Sequence, residues 1–155
     1  LIPLVVLVVI IMGGYTMARS GINRGALERL GISVHCFMAA PEVARRAAEA
    51  GTTRAAAAVD QGAALWPEGI YAVGNAPTAL IRMAQLIRAG AMSPALILAV
   101  PVGFVNVVES KEEILALARE RGIPAIAALG RKGGSTVAAA LCNALLYQSG
   151  GREKL

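Results

Sequence analysis

The chain has 155 residues, enough for one domain with a full core. It is 56% hydrophobic and only 16% charged, below the usual share of about 25%, which argues against disorder and for a surface partly covered by a partner subunit or by missing chain. The net charge of +5 suits an acidic small molecule better than nucleic acid, because the basic residues are dispersed and aromatics are scarce at 4%.

Residues 1–12 (LIPLVVLVVIIM) are almost wholly apolar. A membrane span needs about 20 such residues, and a signal peptide would carry a basic leader. The run is therefore expected to supply a central parallel strand over residues 4–12, buried on both faces, with no membrane partner. The chain starts without Met, so residues upstream of it are expected. Residues 13–23 form a turn-rich loop, residues 24–30 a short helix stopped by Gly31, and residues 33–37 a second strand.

Pro41 opens a helix to Ala50, with Gly51 as its stop. Thr52 or Thr53 caps the next helix, residues 54–65, which the Trp66-Pro67-Glu68-Gly69 stretch breaks. A third strand over 70–73 runs into Gly74-Asn75-Ala76, and Pro77 begins a helix to Ala89 closed by Gly90. A fourth strand covers 95–100. Ser110 is expected to cap the following helix, whose first turns hold Lys111, Glu112 and Glu113 and which ends at Gly122. The fifth strand is 124–129, and Ser135 caps a last helix to about Gln148. Residues 1–150 form a single domain and 151–155 a polar tail.

Alternating strands and helices predict an α/β fold, a three-layer α/β/α arrangement with a largely parallel sheet of about five strands. In such a sheet all strand-to-helix turns open at one edge, where ligands bind. Three apolar segments run straight into polar Gly/Pro turns: 70–80 (IYAVGNAPTAL), 95–113 (ALILAVPVGFVNVVESKEE) and 125–141 (AIAALGRKGGSTVAAAL).

In GNAPTAL, Asn75 and Thr78 stand beside free backbone N–H groups, either as an anion or carbonyl site or as plain caps. In GRKGGS, bare backbone, Arg131, Lys132 and a helix start at Ser135 together suit carboxylates or phosphates, with a solvated basic loop as the alternative. The loop is not a P-loop, because its lysine precedes the Gly pair. Arg54 lies in the first turn of a helix, where the dipole disfavours a cation, so a bound anion is one reason to keep it and simple exposure is the other. Glu109 and Ser110 follow a strand edge and are secondary candidates.

The single histidine, His35, lies within a short strand and reads as structural. With no Cys/His cluster beside it, no metal site is expected. Cys36 and Cys142 read as reduced, buried thiols of a cytoplasmic protein.

MARSGIN (17–23), CFMAAPEVARRAAEAGTTRAAAA (36–58), AVGNAPTAL (72–80), PALILAVPVGFVNVVESKEE (94–113) and GRKGGSTVAAALCNALL (130–146), in this order, resemble the precorrin-8X methylmutase family of cobalamin biosynthesis, called cobalt-precorrin-8 methylmutase in the anaerobic route. The resemblance implies an isomerase without a redox cofactor that moves a methyl group from C11 to C12 of a corrin precursor, giving hydrogenobyrinic acid or its cobalt counterpart. It also implies a homodimer holding the corrinoid at its interface. The substrate's acetate and propionate chains agree with basic, Gly-rich turns as carboxylate binders. By matching motif, Arg54 is the first anchor, followed by Asn75, Thr78, Arg131, Lys132 and Ser135. The family's catalytic histidine belongs to a segment upstream of anything here, so no catalytic residue is assigned and His35 does not inherit the role. The acidic residue three places before the methionine matched by Met17 is replaced by Gly14. A truncated, inactive corrinoid-binding relative is the alternative function.

Overall fold

The computed structural model describes residues 6–11, 25, 28, 33–35, 41–74, 77–100, 107–128 and 135–146. Five strands form one sheet: β1 (Val6–Ile11), β2 (Ser33–His35), β3 (Ile70–Gly74), β4 (Leu96–Ala99) and β5 (Ala125–Ala127). Their order is β2-β1-β3-β4-β5 and every pairing is parallel. The helices are α1 (Pro41–Ala50), α2 (Arg54–Leu65), α3 (Pro77–Arg88), α4 (Val107–Arg121) and α5 (Ser135–Leu146). Gly25 and Glu28 are helical, as expected for 24–30. Residues 6–11 of the apolar N-terminal run form β1, an interior strand with β2 on one side and β3 on the other.

Side-chain alternation along β3 and β4 separates two layers. Tyr71 and Val73, opposite Ile97 and Ala99, join one apolar cluster with residues of α1, α2, α3 and α4. Ala72 and Leu98 are opposite one another and fully buried, yet stand outside that cluster. They face the other side, where α5 packs against β3 and buries Cys142.

α2 lies deepest. Ala55 to Ala58 are all buried, because α2 is flanked by α1 and α3 and also touches β1. Only a side chain as small as Ala lets a helix approach neighbours on so many sides. The seams also carry polar ties. Arg82 Nε donates to Asp60 Oδ1 at 2.7 Å between α3 and α2, and Arg88 Nη1 donates to Glu113 Oε1 at 2.6 Å between α3 and α4. The fully buried Tyr71 hydroxyl donates to the Trp66 carbonyl at 2.8 Å, fixing the turn into β3.

The helix stops follow the expected chemistry. Gly51 has φ 64°, its N–H donates to the Ala48 carbonyl, and the Thr52 N–H donates to the Ala47 carbonyl, a Schellman pair. The same pair recurs at Gly90 and Gly122. Thr53 is the cap of α2, accepting from the Ala56 N–H at 3.1 Å.

One cap expectation fails. α4 begins at Val107, so Ser110 is inside its first turn instead of capping it. The Ser110 hydroxyl donates back to the Val107 carbonyl at 3.0 Å and is 2% exposed. Val107 is fully buried, and its burial starts the helix one turn earlier than the polar signal suggested.

Candidate functional site

The strand order places a topological switch between β1 and β3. The chain leaves β1 for β2 on one side and leaves β3 for β4 on the other, so the turns beyond these two strands diverge and leave a crevice at the carboxyl edge. Ile11 is opposite Gly74 at the end of this pair, which puts the Gly74 backbone at the crevice. α3 and α4 each start at this edge because each follows a strand, and α5 does so after β5.

α2 is brought to the same edge by a side-chain contact. The Thr53 hydroxyl donates to Thr78 Oγ1 at 3.1 Å. Thr78 is in the first turn of α3, so the N-termini of α2 and α3 stand side by side. The Thr53 hydroxyl thus accepts a hydrogen bond from one backbone N–H and donates one to Thr78. Arg54, the next residue, is the first of α2, is exposed, and makes no ion pair among the described residues, unlike Arg82 with Asp60 and Arg88 with Glu113. Two helix N-termini thus lie side by side with an exposed arginine in the first turn of one of them, an arrangement that suits carboxylates.

The structure therefore brings together Arg54 and Thr78, residues 24 positions apart in the sequence. Ser135 begins α5 at the same edge. Asn75, Arg131 and Lys132 lie outside the described residues, as do Gly14, Cys36 and the 151–155 tail. His35 stands in β2 in register with Val8. Glu109 is exposed in the first turn of α4, whereas Ser110 has its hydroxyl committed to Val107. Among the described residues no group of three His, Cys, Asp or Glu side chains converges as a metal site would, and no helix is long and apolar enough to cross a membrane.

Two residues near this edge escaped the sequence reading. Thr53 was legible as a cap but not as the tie to Thr78. Lys111 is 1% exposed, and burial lowers its pKa from the ordinary lysine value. A signal for it existed: positions 107, 111, 114 and 118 recur at helical spacing, and Val107, Ile114 and Ala118 are all buried.

A model of the precorrin-8X methylmutase family matches residues 9–148. The chain belongs to that family. It is 43% identical over 140 residues to the cobalt-precorrin-8 methylmutase of Leptospira interrogans, covering 88% of this chain and 64% of the relative. It is 46% identical over 133 residues to that of Salmonella typhimurium, covering 85% and 60%. The crystal structure of precorrin-8X methylmutase from Thermus thermophilus superposes with a TM-score of 0.78 at 38% identity, covering 96% of this chain and 69% of that one. The chain thus spans somewhat less than two thirds of the length of these two curated relatives. The likeness to a solved family member agrees with the α/β reading of the sequence.

Proposed function

We propose that the chain is a methylmutase of corrin-ring biosynthesis, moving a methyl group from C11 to C12 of precorrin-8X or cobalt-precorrin-8. The observation that carries this reading is the family match over residues 9–148, nearly the whole chain. The reaction is an intramolecular shift, so the protein's work is to hold the macrocycle in one orientation and to place a proton donor. A histidine of the family segment preceding the motifs present here supplies that donor in this reading. The carboxyl edge supplies orientation: Arg54 and Thr78 take one substrate carboxylate, and Asn75, Arg131, Lys132 and Ser135 take others. The exposure of Arg54 at a paired helix end supports its share in this. A homodimer in the cytoplasm completes the reading, supported by the low charged share of 16% and the absence of any disulfide-framework spacing.

The test is incubation with precorrin-8X and with its cobalt form, followed by absorption spectroscopy, beside titration with hydrogenobyrinic acid. Turnover is expected, and Arg54→Ala should weaken corrinoid affinity about tenfold, the loss of one charge-assisted hydrogen bond. A chain that neither binds nor converts any of the three corrinoids refutes the function.

A further inference from the structure

We propose that Thr53 is a positioning residue of the corrinoid site, holding the Thr78 hydroxyl so that its proton is turned outward to a substrate carboxylate. This rests on the corrinoid reading above and adds to it a residue so far assigned only as a helix cap.

A threonine hydroxyl donates one hydrogen bond and can accept others. The Thr53 hydroxyl accepts from the Ala56 N–H at 3.1 Å and donates to Thr78 Oγ1 at 3.1 Å, so its one proton is engaged within the fold. Thr78 receives that bond and keeps its own proton. The usual local outlet for a helical threonine is a carbonyl one turn back in the same helix. Thr78 is the second residue of α3, so no such turn precedes it. Its hydroxyl makes one hydrogen bond among the described residues, the one it accepts from Thr53. Thr78 is exposed, so its proton is available to a ligand, at a helix end where the dipole favours anions.

Capping alone does not require this contact. The cap of α2 is complete with the bond from Ala56, and the bond to Thr78 reaches 25 positions along the chain to join two exposed side chains. A neutral hydrogen bond gains little over water at such a place. What it fixes is direction. With the Thr53 proton aimed at Thr78 Oγ1, the Thr78 proton must turn away from Thr53, or two protons would meet between the oxygens. A substrate carboxylate held by Arg54, the residue next to Thr53, then meets a donor that is already oriented, and less freedom is lost on binding.

The experiment titrates hydrogenobyrinic acid into the unaltered chain and its variants and follows the corrinoid absorption. Thr78→Val should weaken binding about tenfold, the loss of one charge-assisted hydrogen bond. Thr53→Val should weaken it about threefold, because the donor remains but loses its direction. Thr53→Ser should bind as the unaltered chain does. Added to Thr78→Val, Thr53→Val should have no further effect; added to Arg54→Ala, it should still cost about threefold. A residue that only holds the end of α2 in place would act through Arg54, and its effect would vanish with Arg54→Ala. That result overturns the proposal, as does a Thr53→Val loss that persists in the Thr78→Val chain. If Thr53→Val does not fold, Thr53→Gly takes its place with the same expected ratios, since glycine at a cap costs only a few tenths of a kcal/mol. Failure of the unaltered chain to bind any corrinoid would refute the functional reading, whereas binding that Thr53→Val leaves unchanged refutes this inference alone.

Discussion

Replacing Thr53 by Val keeps the shape of the side chain and removes both of its hydrogen bonds. Losing acceptance from the Ala56 N–H at 3.1 Å uncaps α2, which costs about 1 kcal/mol. Losing the 3.1 Å bond to Thr78 costs about 0.5 kcal/mol, the low end for a neutral pair, because both residues are exposed. The single variant should therefore lose about 1.5 kcal/mol, or about 3–6 °C in Tm for a chain of this size. Thr78→Val removes only the second bond and should cost about 0.5 kcal/mol. The double variant should cost no more than Thr53→Val alone, leaving a coupling of about 0.5 kcal/mol in the mutant cycle. Thr53→Ser retains both bonds and should stay near the unaltered chain. Urea unfolding of the four proteins measures the cycle. Strict additivity, or a Thr53→Val loss no larger than that of Thr78→Val, would refute the tie between the two helix ends.

The other expectations concern the core and alkaline stability. Leu80→Ala, at a position with 0% exposure, should cost about 2–5 kcal/mol, while Leu65→Ala, at 51% exposure, should stay within about 0.5 kcal/mol; equal losses in urea would contradict the assigned core. Burial pushes the Cys142 thiol up to about 12 from the ordinary 9.0, so the unfolded chain releases this proton first as pH rises. The stability it contributes is complete below about pH 9 and falls by up to about 1.4 kcal/mol per pH unit above it. The stability difference between the unaltered chain and Cys142→Ala should therefore shrink from pH 9 toward pH 11, and a flat difference would show the thiol to be exposed.

What could be read from sequence was what is decided locally. Pro41 and Pro77 opened helices and Gly51, Gly90 and Gly122 ended them, because fixed φ at one end and a left-handed residue at the other are properties of a single residue. β1 was legible because an apolar run of that length suits a strand covered on both faces. The start of α4 differs from the expected cap at Ser110, a residue type that favours helix N-termini, followed by acidic residues that suit a first turn. In the fold, Glu113 turns to Arg88 and Ser110 bonds backward to Val107, since burying Val107 outweighs the local cap. Arg54 and Thr78 could each be suspected from their turns, but their adjacency depends on α2 returning to the edge from which α3 departs, and no local pattern carries that.

The cations show how the fold separates structural charge from charge available to a ligand. Arg82 and Arg88 lie further along α3 than Thr78 and are neutralised across helix seams by Asp60 and Glu113. These pairs are half-exposed and contribute little stability each, but they fix which helices lie side by side. At the edge the pattern changes: Arg54 is exposed and makes no ion pair among the described residues. Had the positive balance of this chain served solubility alone, the first turn of α2 would be a poor place for a cation. That position is unfavourable for the helix and favourable for a ligand bearing carboxylates. The edge is therefore better explained by what it binds than by what it contributes to folding.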